Sequence, residues 1–349
     1  MGCVRAAALR TGLVLGAVLL TLLLAEVVLR VATPKEFLGA RQPFGLTFLA
    51  WNPFRGEYLI AGHEQPWLSI NRAGLRGPEL DPTRDHQIVC LGDSSTFGLW
   101  VEGKAQERVL HLDSYPAALG SLLATGGYDE WQVVNAGVPG SHAAHSLRIL
   151  RREILPIEPE IVTLRVGVND HAPQKRPWQD DPKAPWLRHL FYTFSDWKLL
   201  HLGLTSQFQL SPSGPRRRMV PIDAFRRALE AIVAESRQHD FRLLLIDYPL
   251  RPPLATDPVA KRIAALFGHE EVANFYRIHA LYQEAVRSVA HANNIPLLIT
   301  APALNDTDTS GFTDDNVHPD ASGMEDTAEL IYAELIDRGW LRGGEPGAR

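Results

Sequence analysis

Gln87-Ile88-Val89-Cys90-Leu91-Gly92-Asp93-Ser94-Ser95-Thr96 is the stretch on which the fold turns. The apolar run 88–91 suits a strand buried on both faces, and the small polar residues after it end that strand and favour a helix cap. Working outward, runs of the same kind at 131–135, 160–166, 241–247 and 296–300 predict four further strands. Segments with helical spacing lie at 114–124, 141–154, 222–239 and 271–293, and another at 322–337 closes the chain. Strands alternating with helices predict a parallel sheet covered on both faces. A serine just past the carboxyl end of such a strand sits in the crevice where open α/β sheets place their ligands.

The rest of the chain frames that domain. The 349 residues are 45% hydrophobic and 21% charged, which reads as globular, and the formal net charge of −5 gives no electrostatic case for nucleic acid. Of the two cysteines, Cys3 precedes an apolar segment and Cys90 lies in the first strand, so no disulfide framework is expected. Arg5 and Arg10 form a short basic start at 1–10. Residues 11–32 as a helix would span about 33 Å, enough for a bilayer core of about 30 Å. Glu26 and Arg30 must then sit near one interface, four residues apart and able to pair. The lack of a small-x-small cleavage site favours an uncleaved, single-pass anchor, and the early arginines place the bulk of the chain outside the cytoplasm. Residues 33–86 read as an irregular lead-in packed on the domain, 87–338 as the domain itself and 339–349 as a tail. Residues 171–220 break the strand–helix rhythm with many prolines, Trp178, Trp186, Trp197 and the run Arg216-Arg217-Arg218, and read as a functional insertion.

Gly92-Asp93-Ser94 alone is a weak signal. Its company is stronger: Gly137 follows the second strand, Gly167-Val168-Asn169-Asp170 the third, and Asp315-Asn316-Val317-His318 stands near the C-terminus. In order and spacing these four blocks resemble those that define the SGNH (GDSL-type) hydrolases, over about residues 70–338. Asn71-Arg72-Ala73-Gly74-Leu75-Arg76-Gly77 is similar to the lead-in of membrane-anchored bacterial members. The resemblance implies a three-layer α/β/α sandwich on a five-stranded parallel sheet of flavodoxin-like order. It implies Ser94 as nucleophile, His318 as general base and acid, and Asp315 as the group that orients the imidazole. It assigns the oxyanion hole to the backbone N–H groups of Ser94 and Gly137 and the side-chain amide of Asn169. The α/β-hydrolase alternative is disfavoured because no Gly-x-Ser-x-Gly elbow is present.

The activity so implied is hydrolysis of an acyl ester through an acyl-serine, on a carbohydrate or lipid substrate at the cell envelope, with no cofactor and no metal. Two alternatives stand beside it. One is an O-acyltransferase or deacylase of envelope polysaccharide with the same triad, and the other a non-catalytic membrane-tethered binding protein on the same fold. His142 and His145 share a helix face without the carboxylate or thiolate company of a metal site. Arg165, in a strand near Asn169, suits either an anionic substrate group or a structural ion pair. Trp100 and the insertion tryptophans suit packing or sugar stacking.

Overall fold

A computed structural model describes residues 2–32, 46–52, 56–102, 109–111, 113–171, 220–252, 260–261, 264–265, 271–305, 311–313 and 315–343. Of the expected insertion 171–220, residues 172–219, with the tryptophans and arginine run, lie outside the described residues, as do the side chains of Cys3, Arg30 and Trp100. The chain divides into two compact units, the first including Met1–Gly56 and the second including Glu57–Pro177 and Pro215–Arg349.

In the first unit, α1 (Gly2–Ala32) is one uninterrupted helix and β1 (Leu49–Asn52) a short strand. Within α1, Arg10–Val28 is long and apolar enough to cross a membrane by length and composition. Its leucines and valines stand exposed, Leu13, Leu15, Leu19 and Val28 among them, whereas Glu26 is buried. A water-soluble helix would cover such a surface.

β2 (Gly56–Leu59) comes next, then a tight antiparallel hairpin of β3 (Glu64–Gln65) and β4 (Leu68–Ser69). The central sheet follows: β5 (His86–Gly92), the one-turn helix α2 (Ser94–Phe97), a hairpin of β6 (Trp100–Glu102) and β7 (Val109–His111), α3 (Tyr115–Thr125), and β8 (Trp131–Gly137). Then come α4 (Ala143–Ile149), β9 (Ile161–Arg165), α5 (Ile222–Gln238), β10 (Arg242–Ile246) and α6 (Val272–Asn293). The chain closes with β11 (Leu297–Leu298), α7 (Ala301–Leu304) and α8 (Ala321–Asp337).

The sheet runs β11-β10-β9-β5-β8, all parallel. Numbered within the sheet, that is the flavodoxin-like 2-1-3-4-5 order. The five sequence-predicted strands form it. The predicted helix 141–154 differs in detail, because α4 passes into a π-helical turn at Leu150–Ile154. Side chains alternate across β5 as the pleat requires. Ile88 and Cys90 pack with Tyr115, Leu119 and Leu123 of α3 and with Met324, Ala328 and Ile331 of α8. Val89 and Leu91 are equally buried and point to the opposite face. Burial pushes the Cys90 thiol up to about 12, so it behaves as a small hydrophobe. The switch in strand order falls between β5 and β9, where their carboxyl ends open a crevice, and the register Gly92↔Arg165 brings Ser94 and Asn169, just beyond those ends, to its lip.

Candidate active site

The strand β5 stops because Asp93 turns the chain and caps the next helix: its Oδ1 accepts the Ser95 N–H at 2.9 Å. The single turn of α2 is held by Phe97 N–H to Asp93 O and Gly98 N–H to Ser94 O, both 2.8 Å, and ends on Gly98 in the left-handed region at φ 79°. Ser94 is therefore the first residue of a helix, its side chain partly exposed above the sheet.

The partner loop is built around one carboxylate. Asp315 Oδ1 accepts from Thr313 Oγ1 at 2.8 Å and from the Val317 and His318 N–H groups at 2.9 Å each. Thr313 N–H reaches back to His318 O at 2.9 Å, and Asn316 takes φ 60° to close the turn. With Oδ1 so occupied, Oδ2 faces His318 Nδ1 at 2.5 Å, and His318 Nε2 lies 2.7 Å from Ser94 Oγ. Asp-x-x-His thus brings acid and imidazole to the serine on one short segment. Burial opposes both charges, yet each carries the other. Asp315 stays well below the usual carboxylate range because His318 and its hydrogen bonds outweigh desolvation. His318 rises above 6.5 because Asp315, and then Asp93, outweigh burial and the Arg165 charge.

Beneath Ser94 lies a buried polar layer. Asp93 Oδ2 accepts Asn169 Nδ2 at 2.9 Å, and the Tyr248 hydroxyl stands 2.5 Å from Ser95 Oγ and 3.4 Å from Asp93 Oδ1. Burial pushes Asp93 up to about 6 against the Ser95 N–H, His318, Arg165 and Tyr248, all of which favour its charge. Arg165 is wholly buried with its guanidinium carbon 5.0 Å from the Tyr248 ring centroid. It forms no hydrogen bond or ion pair with a described residue. Of the two roles foreseen for it from sequence, the ion pair is not formed with a described residue; the guanidinium lies over the Tyr248 ring instead.

The three expected oxyanion donors are differently placed. Ser94 N–H makes no hydrogen bond with a described residue. The Gly137 N–H, expected among the oxyanion donors, is bonded to Asn135 Oδ1 at 3.0 Å. Gly137 is glycine for a packing reason: a Cβ there would meet Phe97 N at 2.2 Å and Thr96 C at 2.7 Å. Asn169 Nδ2 is shared between Asp93 Oδ2 and the Ser141 carbonyl at 3.0 Å. Val138-Pro139-Gly140-Ser141 forms a turn closed by Ser141 N–H to Val138 O at 2.9 Å, with Gly140 at φ 81°. Proline second and a positive-φ glycine third make this type II, and the Gly140 N–H makes no hydrogen bond with a described residue. The Pro-Gly pair was the sequence signal for it.

Arg76 was also missed as a site residue. Its guanidinium donates to the Phe97 carbonyl and, at 3.4 Å, to that of Gly98, while Asn135 Nδ2 reaches Phe97 O at 3.2 Å. A cation at the C-terminal end of α2 satisfies carbonyls that so short a helix leaves open.

His142 caps α4, its Nδ1 accepting the His145 N–H at 3.3 Å, and desolvation with the Arg148 charge pulls it down to about 3. Among the described residues no group of three or more His, Cys, Asp or Glu could hold a metal ion. Asp170 accepts the Ala143 N–H at 3.0 Å, and burial, with Asp93 adding, pushes it up to about 8 from 3.8. The folded state therefore binds this proton more tightly than the unfolded chain. Its contribution to stability falls as pH rises from about 4 and levels off above about 8. Asp170→Asn keeps the acceptor and removes that slope. Urea unfolding should show the variant gaining on the parent between about pH 5 and about pH 8, and a constant difference would contradict the assignment.

Several solved structures are similar to this chain. A lipase/acylhydrolase from Enterococcus faecalis is 20% identical, with 74% of this chain and 99% of that one covered and a TM-score of 0.47. A catalytic mutant of an acetylxylan esterase from Geobacillus stearothermophilus is 16% identical over 76% and 100%, with a TM-score of 0.46. No curated protein matches significantly. Residues 90–325, more than half of the chain, match the GDSL-like Lipase/Acylhydrolase family, and they carry Ser94, Asn169, Asp315 and His318 in the arrangement just described. The chain belongs to that family and is an ester-bond hydrolase.

Proposed function

We propose that the chain is a serine esterase that cleaves an acyl ester through an acyl-serine intermediate, with Ser94, His318 and Asp315 as its triad. The observation that carries this is the unbroken relay from Ser94 Oγ to His318 Nε2 at 2.7 Å and from His318 Nδ1 to Asp315 Oδ2 at 2.5 Å. Ser94 Oγ attacks the ester carbonyl as Nε2 takes its proton. The tetrahedral intermediate expels the alcohol, which receives that proton, and a water activated by the same nitrogen then releases the acid and restores Ser94.

The oxyanion is met by the N–H groups of Ser94 and Gly140 and by Asn169. Asp93 holds one Asn169 N–H, and the other leaves the Ser141 carbonyl for the oxyanion, because a charged acceptor makes a bond about twice as strong. A serine-directed fluorophosphonate should add once per chain, at Ser94, by intact mass and peptide mapping. A chain that takes up no label would instead be a scaffold on this fold.

The raised His318 sets the pH response. Its protonated form accepts no proton, so kcat/KM falls with decreasing pH through a value above the ordinary 6.5. Asp315→Asn removes the largest raising charge, and the limb should move down in pH with a rate loss of about 10²-fold or more. An unmoved limb would detach Asp315 from His318.

The reading places the enzyme at the cell envelope. Residues 11–32 act as an uncleaved anchor and 87–338 as the catalytic domain outside the cytoplasm, joined by the lead-in 33–86. The apolar stretch Arg10–Val28 and the basic residues before it support this. Protease added outside intact cells should digest the domain, and its protection there would reverse the topology.

A further inference from the structure

The one aromatic side chain strongly exposed among the described residues has no part in the triad. Trp67 is 51% exposed, at the tip of the β3–β4 hairpin. Its position is fixed. Pro66 precedes it in the turn, Glu64 pairs with Ser69 and Gln65 with Leu68, and Leu68 is buried beneath. Ile70 N–H to His63 O at 2.8 Å extends the hairpin, and Gly77 N–H to Ser69 O at 2.9 Å ties it to the chain that follows.

Beside the ring lies a cavity of about 470 Å³, a volume typical of small-molecule sites. Its walls mix the polar side chains of Glu64, Gln65, Arg76, Ser114 and Asn135 with Trp67, prolines and aliphatic side chains, and include none of Ser94, Asp315 or His318. We propose that this cavity is a subsite for a neutral oligosaccharide, with the Trp67 ring as the platform on which one sugar stacks. An acyl chain would strand a carboxylate, amides, a hydroxyl and a guanidinium against hydrocarbon. A sugar presents hydroxyls to those groups and its apolar C–H face to the indole.

Two residues of the cavity wall reach the nucleophile's helix. They are Arg76 and Asn135, and both donate to the Phe97 carbonyl that ends α2, the turn that Ser94 begins. That placement suits a neighbouring unit of a polymer rather than the ester itself. With the esterase reading above, on which this last step rests, the substrate class becomes an O-acylated polysaccharide.

The test uses the full chain in detergent, with xylohexaose, cellohexaose and chitohexaose as probes in calorimetric titrations. At least one should bind the Ser94→Ala protein, and Trp67→Ala should weaken that binding about tenfold or more. Trp67→Phe should recover part of it. No binding of any of the three, or binding indifferent to Trp67, overturns the subsite. In proteoliposomes of brominated phosphatidylcholine, a fluorescence quench lost in Trp67→Phe would make the ring a membrane contact and overturn it as well. Failure of phosphonate labelling at Ser94 would sink the esterase reading while leaving sugar binding intact, so the two failures are distinguishable.

Discussion

Ser94→Ala should lower kcat/KM on 4-nitrophenyl acetate by about 10³-fold or more while leaving the protein as stable as its parent. The activity loss follows from the relay: Ser94 Oγ lies 2.7 Å from His318 Nε2, and without it the imidazole has no hydroxyl to activate toward the carbonyl. The unchanged stability follows from the hydroxyl's surroundings. Ser94 is partly exposed, and α2 is held by backbone bonds and by the Asp93 cap, neither of which uses Oγ. Thermal melts and far-UV circular dichroism check the second half. His318→Ala should lose activity to a similar degree, and the double variant should lose little more, because either change disables the same proton transfer. Additive losses, or turnover in Ser94→Ala near that of the parent, would remove the serine from the mechanism.

The elements that could be read from sequence are those with local signatures. Five apolar runs became the five strands, since a strand buried on both faces must be apolar along its length. The Asp315–His318 loop was legible because both groups come from one four-residue segment. The hairpins at Glu64–Ser69 and Trp100–His111 were not, because strands of two or three residues leave no period to detect. Arg76 escaped because its meaning depends on Phe97, 21 residues away in sequence and joined to it only in the fold. The exposed Trp67 was hidden for the same reason: exposure is a property of packing, and a tryptophan beside a proline reads equally well as core.

Gly137 is the instructive case, and Gly137→Ala decides between its two readings. If the residue served only through its N–H, alanine would keep that donor and cost little. The structure gives the glycine another task. A Cβ at 137 would stand 2.2 Å from Phe97 N and 2.7 Å from Phe97 Cα and Thr96 C, all backbone atoms that no rotamer change can remove. Neither side yields easily. Gly137 pairs in register with Gly92 inside the sheet, and Phe97 N–H is bonded to Asp93 O at 2.8 Å. Relief must come from a shift of α2, which carries Ser94 away from His318. A displacement of about 1 Å at a reacting atom costs on the order of 10²-fold in rate. The variant should therefore show a lowered Tm and a kcat at least about 10²-fold down per active site, with sites counted by phosphonate labelling so that unfolded protein does not contribute. Parent-like kcat and Tm would mean that α2 and β8 have slack between them, and that packing does not require glycine at 137.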